Sequence, residues 1–146
     1  MAMADVKIIN GEIFKDNRGQ ISSINKFSLL GMKRFYVIHQ KSTKIIRGWH
    51  GHKHEQKSFY CIKGGFTIGL VKIDNWDKPS ADLKAEIIHL SESDSKIVCV
   101  PAGYANCIKA EREDSILIVF SDKLFGESVT DSVRYESSFW VNWDKF

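Results

Sequence analysis

The sequence predicts an all-β fold, a sandwich or barrel of about ten short strands. Runs rich in Val, Ile, Phe and Tyr recur along the chain, and Gly, Asn, Asp and Ser separate them. No window of a dozen residues carries a clean helical stripe. The predicted strands are 7–9, 20–24, 34–39, 45–50, 58–62, 66–73, 85–90, 96–100, 105–108 and 115–120. Lys63-Gly64-Gly65 supplies the positive φ of a tight hairpin, Ser91 to Ser95 is a polar reversal, and 74–82 is the longest polar loop. The tail 122–146 mixes Tyr135, Phe139, Trp140 and Trp143 with charges. It is expected to be a short helix or an irregular segment packed on the barrel.

A chain of 146 residues fits one domain, 1–146, with enough apolar surface to hold a core without disulfides or metals. Its hydrophobic share of 43% and charged share of 27% fit a soluble globular protein and argue against disorder or a membrane span. The N-terminus lacks the pattern of a secretory signal, so the expected location is cytoplasmic. A formal charge of +3, carried by scattered lysines, gives no case for nucleic acid as partner. Cys61, Cys99 and Cys107 are odd in number, have no CxxC spacing and sit in apolar runs, as reduced core thiols do.

Three of the five histidines fall in Arg47-Gly48-Trp49-His50-Gly51-His52-Lys53-His54, at the end of a predicted strand. Residues two apart on a strand share a face, so His50 and His52 project together into a barrel mouth. A histidine titrates near neutrality and is suited to taking and returning a proton. A His-x-His pair is also half of a metal site. Asn106, after Pro101-Ala102-Gly103, stands where metal-binding barrels of this kind place a further histidine, and the expectation is no metal and no cofactor.

Lys57 lies seven residues past His50, so strict alternation puts it on the opposite face unless 51–56 breaks the strand. If it reaches the site, its ammonium stabilises an enolate oxygen. Arg47, inside an apolar strand, is expected to meet an anion or a carboxylate. Asp16-Asn17-Arg18-Gly19 reads as a turn ending in a cation, and Trp49 and Tyr60 read as core aromatics.

The Arg47-Gly48-Trp49-His50 box, Asp16 to Gly19, the Lys57 position and the Val100-Pro101-Ala102-Gly103-Tyr104-Ala105 turn together resemble a known family. It is that of the cupins that remodel dTDP-4-keto-6-deoxy sugars, the 3,5-epimerases and 3,4-ketoisomerases. Arg47 to Lys53, with Lys33 to Tyr36, resembles the ketoisomerases; Lys57, Gly103 to Ala105 and Trp143-Asp144 resemble the epimerases. The chain lacks the epimerase region that supplies an aspartate to the catalytic histidine, and Phe125 or a neighbour falls near their acid tyrosine.

The resemblance implies a cupin jelly roll, a homodimer, and a metal-independent isomerase of a nucleotide-diphosphate 4-keto-6-deoxyhexose, a 3,4-ketoisomerase or a 3- or 3,5-epimerase, in cell-surface polysaccharide sugar biosynthesis. His50 is the leading base, with His52 its partner or a second acid/base. Lys57 offsets developing charge, and Tyr104 and Tyr36 are candidate acids. Arg18 and Arg47 hold the diphosphate, and Tyr36, Gln40 and Asn106 complete the substrate-binding set. A sugar-nucleotide-binding cupin without activity, and a metal-dependent cupin enzyme, are the alternatives.

Overall fold

The computed structural model describes residues 5–146. The expectations of a 1–146 domain and of no secretory leader rest partly on residues 1–4, which lie outside the described residues. The strands are β1 (Lys7–Asn10), β2 (Glu12–Asp16), β3 (Gly19–Ser23), β4 (Arg34–Gln40), β5 (Ile46–His52), β6 (Lys57–Lys63), β7 (Gly65–Lys72), β8 (Glu86–Ser91), β9 (Lys96–Val100), β10 (Tyr104–Ala110), β11 (Ser115–Ser121) and β12 (Ser132–Arg134). One short helix, α1 (Phe125–Thr130), precedes β12, and a 3-10 turn at Trp143–Lys145 follows it. Each predicted strand has a counterpart. The sequence reading missed β2, which pairs only with β3, and β12, whose three residues include a single apolar side chain.

Two antiparallel five-stranded sheets face each other as a jelly roll, in the orders β1-β9-β6-β11-β4 and β12-β5-β10-β7-β8. The β2-β3 hairpin forms a third, separate sheet. Inward residues alternate along the strands: Phe59 and Cys61 on β6, Leu117 and Val119 on β11, Phe66, Ile68 and Leu70 on β7. Together they fill the space between the sheets. No helix among the described residues is long and apolar enough to cross a membrane.

The second sheet is covered on its outer face too, by the C-terminal segment. Trp49, Val71, Ala105 and Cys107 point outward and are buried against Trp143, with Tyr135 and Trp140 beside them. The indole N–H groups of Trp49 and Trp143 both donate to the Ser137 carbonyl, at 3.0 and 2.8 Å. Trp140 meets Trp49 edge-on, with ring centroids 5.2 Å apart. The tail is thus a structural layer, and it explains why β7 is buried along nearly its whole length.

Two glycines make this packing possible. Gly48 has φ +128°, and a Cβ there would lie 2.6 Å from the Asn106 carbonyl oxygen, across the bulge in the β5-β10 pairing. At Gly69 a Cβ would lie 2.8 Å from Trp49 Cη2 and 3.1 Å from Trp143 Cη2. Both rings are anchored by their hydrogen bonds and have little room to move. Gly69→Ala is therefore expected to destabilise the fold by about 1–3 kcal/mol, the usual cost of overpacking. An unchanged denaturant midpoint for this variant would show that the tryptophan pair is not a rigid wedge.

Candidate active site

The open end of the barrel holds a cavity of about 660 Å³. His50 and His52 enter from β5 on the inward face, while Trp49 and Gly51 point the other way, as strand alternation requires. Opposite them stand Lys57 on β6 and Arg34 and Tyr36 on β4. Lys57 and Arg34 are both register partners of Ser121 on β11, so the three residues form one inward row across the first sheet. Lys57 reaches the cavity because residues 53–56 leave one sheet and enter the other, which removes the alternation that would have turned it away.

Behind this row lies Glu55, whose side chain is fully buried. One carboxylate oxygen accepts the Ser121 hydroxyl proton and lies 3.3 Å from Arg34 Nη2. The other accepts the Ser128 hydroxyl proton at 2.8 Å and lies 3.1 Å from His52 Nδ1 and 3.8 Å from Lys57 Nζ. Burial by itself would raise the Glu55 carboxyl, but the Ser121 hydroxyl, the Lys57 charge, the Ser128 hydroxyl and His52 hold it below its ordinary value. The backbone of this turn is fixed as well: the Asp131 carboxylate accepts the N–H groups of Lys53, His54 and Glu55 at 2.9, 2.9 and 2.8 Å.

The C-terminal segment completes the wall. α1 contributes Phe125, Ser128 and Val129, and β12 contributes Ser132 and Arg134, the latter paired in register with His50. Burial, joined by the positive charges of Arg134, Lys57 and Arg47, pushes His50 down to about 4. Burial and Lys57 likewise push His52 down to about 4, against the opposing pull of Glu55 and Asp131. Both imidazoles are therefore neutral at pH 7. Neither ring nitrogen of the buried His52 is engaged in a hydrogen bond.

The structure thus brings His50, His52, Lys57 and Tyr36 together. Asn106 and Tyr104 are the register partners of His50 and His52 on β10, but both are buried and neither lines the cavity. Tyr104 belongs to the core, and burial, with Asp5 and Glu86, raises its hydroxyl. Gln40 is buried at the far end of β4 and donates to the Ile45 carbonyl at 2.7 Å. Arg47 lines a neighbouring hollow. Arg18 sits on the β2-β3 hairpin, paired with Asp16 at 2.6 Å and away from the cavity of this chain. Among the described residues, no group of three or more His, Cys, Asp or Glu side chains converges as a metal site.

Sequence reasoning missed Glu55 as an organising group, and Ser128, Asp131 and Arg134 altogether. Glu55 stands three residues past His52 and two before Lys57, a spacing that becomes a signal only once the turn is known to fold inward. The other three lie in the tail, where no periodic pattern marks them. Cys61 and Cys107 are buried thiols pushed up to about 12, chiefly by burial, and Cys99 is half-buried.

A family model described as FdtA, WxcM-like, C-terminal, matches residues 4–142. The chain belongs to this WxcM-like family. A comparison with curated protein sequences gave no match. Among solved structures, the chain is similar to a QdtA 3,4-ketoisomerase variant from Thermoanaerobacterium thermosaccharolyticum in complex with TDP. Identity is 23% over 95% of this chain and 94% of that one, with a TM-score of 0.71. It is also similar to dTDP-4-dehydrorhamnose 3,5-epimerase from Bacillus anthracis with TDP and PPi bound, at 18% identity over 92% and 80% of the two chains and a TM-score of 0.76. The WlaRB TDP-quinovose 3,4-ketoisomerase from Campylobacter jejuni is 22% identical over 94% and 98%, with a TM-score of 0.70. These likenesses show the cupin jelly-roll fold.

The two neutral histidines make stability depend on pH. An unfolded chain protonates them near 6.5, whereas the folded protein does so only near 4. Between these values the unfolded state binds more protons, so their contribution is fully present above pH 6.5 and is lost as pH falls toward 4. Denaturant midpoints measured from pH 7.5 to 4 are expected to decline over that window, and His50→Asn and His52→Asn are each expected to flatten the decline. Parallel curves for parent and variants would show that the fold does not lower the protonation range of these side chains.

Proposed function

We propose that this protein is a metal-independent isomerase of a nucleotide-diphosphate 4-keto-6-deoxyhexose, a 3,4-ketoisomerase or a 3- or 3,5-epimerase. The observation that carries this reading is the pair of neutral imidazoles facing the Lys57 ammonium in one cavity. A ketone acidifies the hydrogen on its neighbouring carbon. Its removal needs a neutral base near pH 7 and a positive charge where the enolate oxygen forms. His50 serves as the leading base, His52 as its partner, and Lys57 as the stabilising charge. Relatives of the same fold described as ketoisomerases and epimerases of TDP-linked sugars support this substrate class.

In the ketoisomerase form, one histidine takes the C3 hydrogen as a proton, and the C3–H electron pair becomes the double bond of a C3–C4 enediolate. A proton then returns to C4, the O3 proton passes to O4 to make the C4 hydroxyl, and C3 becomes the ketone. Substrate and product have the same atoms and no electrons leave the pair. Two acid/base groups suit this exchange between carbon and oxygen, whereas an epimerisation returns the proton to the same carbon. A cytoplasmic setting in polysaccharide sugar biosynthesis belongs to this reading.

The test uses dTDP-4-keto-6-deoxyglucose in heavy water, with deuterium incorporation and product formation followed separately. His50→Asn keeps the size but removes the titratable nitrogen, so turnover is expected to fall about 10²-fold or more. His52→Asn is expected to impair a ketoisomerase strongly and an epimerase mildly. Conversion by His50→Asn at the parental rate would remove the base assignment.

A homodimer is part of the proposal. β4 is an edge strand, and its outward Phe35 and Val37 are exposed beside Phe120 on β11. An apolar edge of this kind is covered when a second copy packs on it. Sedimentation at micromolar concentration is expected to show a dimer, and a monomer throughout would refute it.

A further inference from the structure

His50 and His52 share one face of β5, yet their electrostatic surroundings differ. The charges that act most on His50 are all positive, those of Arg134, Lys57 and Arg47. His52 instead has a carboxylate at contact distance, with Glu55 Oε1 3.1 Å from its Nδ1. This is an electrostatic contact rather than an aligned hydrogen bond. Glu55 stands in the turn that follows β5, where Asp131 accepts three successive backbone N–H groups. The histidine and the carboxylate are therefore carried on one short, pinned piece of chain.

The carboxylate has no freedom to swing away from the ring. Arg34 and the Ser121 hydroxyl hold Oε2, and the Ser128 hydroxyl holds Oε1. Burial would raise the Glu55 carboxyl, but Ser121, Lys57, Ser128 and His52 hold it below its ordinary value, so it is ionised at pH 7. Burial and Lys57 keep His52 neutral there, with a single ring proton to place. A lone pair on Nδ1 would set two electron-rich atoms 3.1 Å apart, whereas an N–H at Nδ1 meets a negative charge. The other nitrogen, Nε2, belongs to a ring that lines the cavity and has no hydrogen-bond partner among the described residues. A neutral imidazole takes up a proton only at the nitrogen that keeps its lone pair.

We propose that Glu55 is a positioning residue that fixes His52 as its Nδ1–H tautomer, leaving the lone pair on Nε2 for the proton exchanged with the substrate. The assignment rests on the isomerase reading above and gives His52 its working atom. In the ketoisomerase form, Nε2 forms an N–H bond with the O3 proton while the O3–H electron pair stays on O3. It then hands that proton to O4, and the imidazole ends neutral. Nδ1 keeps its own proton throughout, and the Glu55 charge stabilises the imidazolium formed in between. His50, surrounded mainly by positive charge, lacks that support, so the two histidines are not interchangeable.

The test is long-range proton–nitrogen correlation NMR of the full chain labelled with nitrogen-15 histidine at pH 7.5, without substrate, the His52→Asn spectrum assigning the His52 signals. The parental His52 is expected to show Nδ1 protonated and Nε2 bare. In Glu55→Gln, Arg34 keeps the amide oxygen at the Oε2 position, so the amide nitrogen faces Nδ1 and the ring proton is expected to move to Nε2. Turnover of dTDP-4-keto-6-deoxyglucose is then expected to fall about 10²-fold or more, with KM within about threefold of the parental value. Ser121→Ala removes a hydrogen bond from the same carboxylate but leaves its charge, and is expected to keep the parental tautomer. A parental His52 with its proton on Nε2 would overturn the assignment, with no variant needed. Equal losses of turnover in Glu55→Gln and Ser121→Ala, with the Nδ1–H form kept in both, would overturn it as well, since that is the mark of a purely structural carboxylate. A parental protein that shows the expected tautomer but neither exchanges deuterium nor converts the sugar would instead overturn the isomerase reading, and the catalytic use of Nε2 with it.

Discussion

The Glu55 carboxylate is withdrawn from water, yet it faces Arg34, His52 and Lys57 and accepts hydrogen bonds from the Ser121 and Ser128 hydroxyls. A buried charge is tolerated only where its lone pairs are filled and opposite charge is near, and each condition is met by a residue from a different element. β4, β6, β11, α1 and the end of β5 all meet at this one group. Their convergence sets the shape of the cavity. Asp131 adds the backbone half of the same arrangement by accepting three successive N–H groups of the turn. The histidines thus stand on a backbone that is held from two sides.

The C-terminal segment serves three tasks at once. Its aromatic side chains cover the outer face of the second sheet, its helix supplies Ser128 to the buried carboxylate, and its last strand adds Arg134 to the cavity wall. A jelly roll of this size has little apolar volume to spare, and sheet faces left in water would weaken it. Covering the outer face with tryptophans anchored on one carbonyl adds burial and also fixes where β12 must run. Packing on one side of the sheet thereby determines chemistry on the other.

The electrostatics of the site follow from the same geometry. Positive groups surround two imidazoles, and burial adds to their effect, so the histidines remain neutral bases where free histidines would be partly protonated. The two carboxylates that act on His52, Glu55 and Asp131, do not line the cavity, and Glu55 is shared among three partners. The cavity therefore presents neutral bases and net positive charge to whatever enters, which suits an anionic substrate that must give up a proton.

The sequence by itself determined where most of the strands fall along the chain, the same-face placement of His50 and His52, and the membership of Trp49 in the core. Each depends on local spacing, because alternation at period two is a property of the backbone and needs no partner to be read. It also carried the family likeness, through a short box around His50 with flanking motifs. Tertiary structure decided the rest. Lys57 faces the histidines because two sheets oppose each other, a relation that no alternation within one strand contains. Tyr104, Gln40 and Asn106 have suitable chemistry but point into packed interior, and a linear pattern does not distinguish a lined cavity from a filled one. Arg134 reaches His50 only because Trp143 and its neighbours pin the tail across the sheet, a contact between residues more than eighty positions apart along the chain. Burial, charge pairing and cavity walls are properties of that assembled surface, and only the fold brings their parts together.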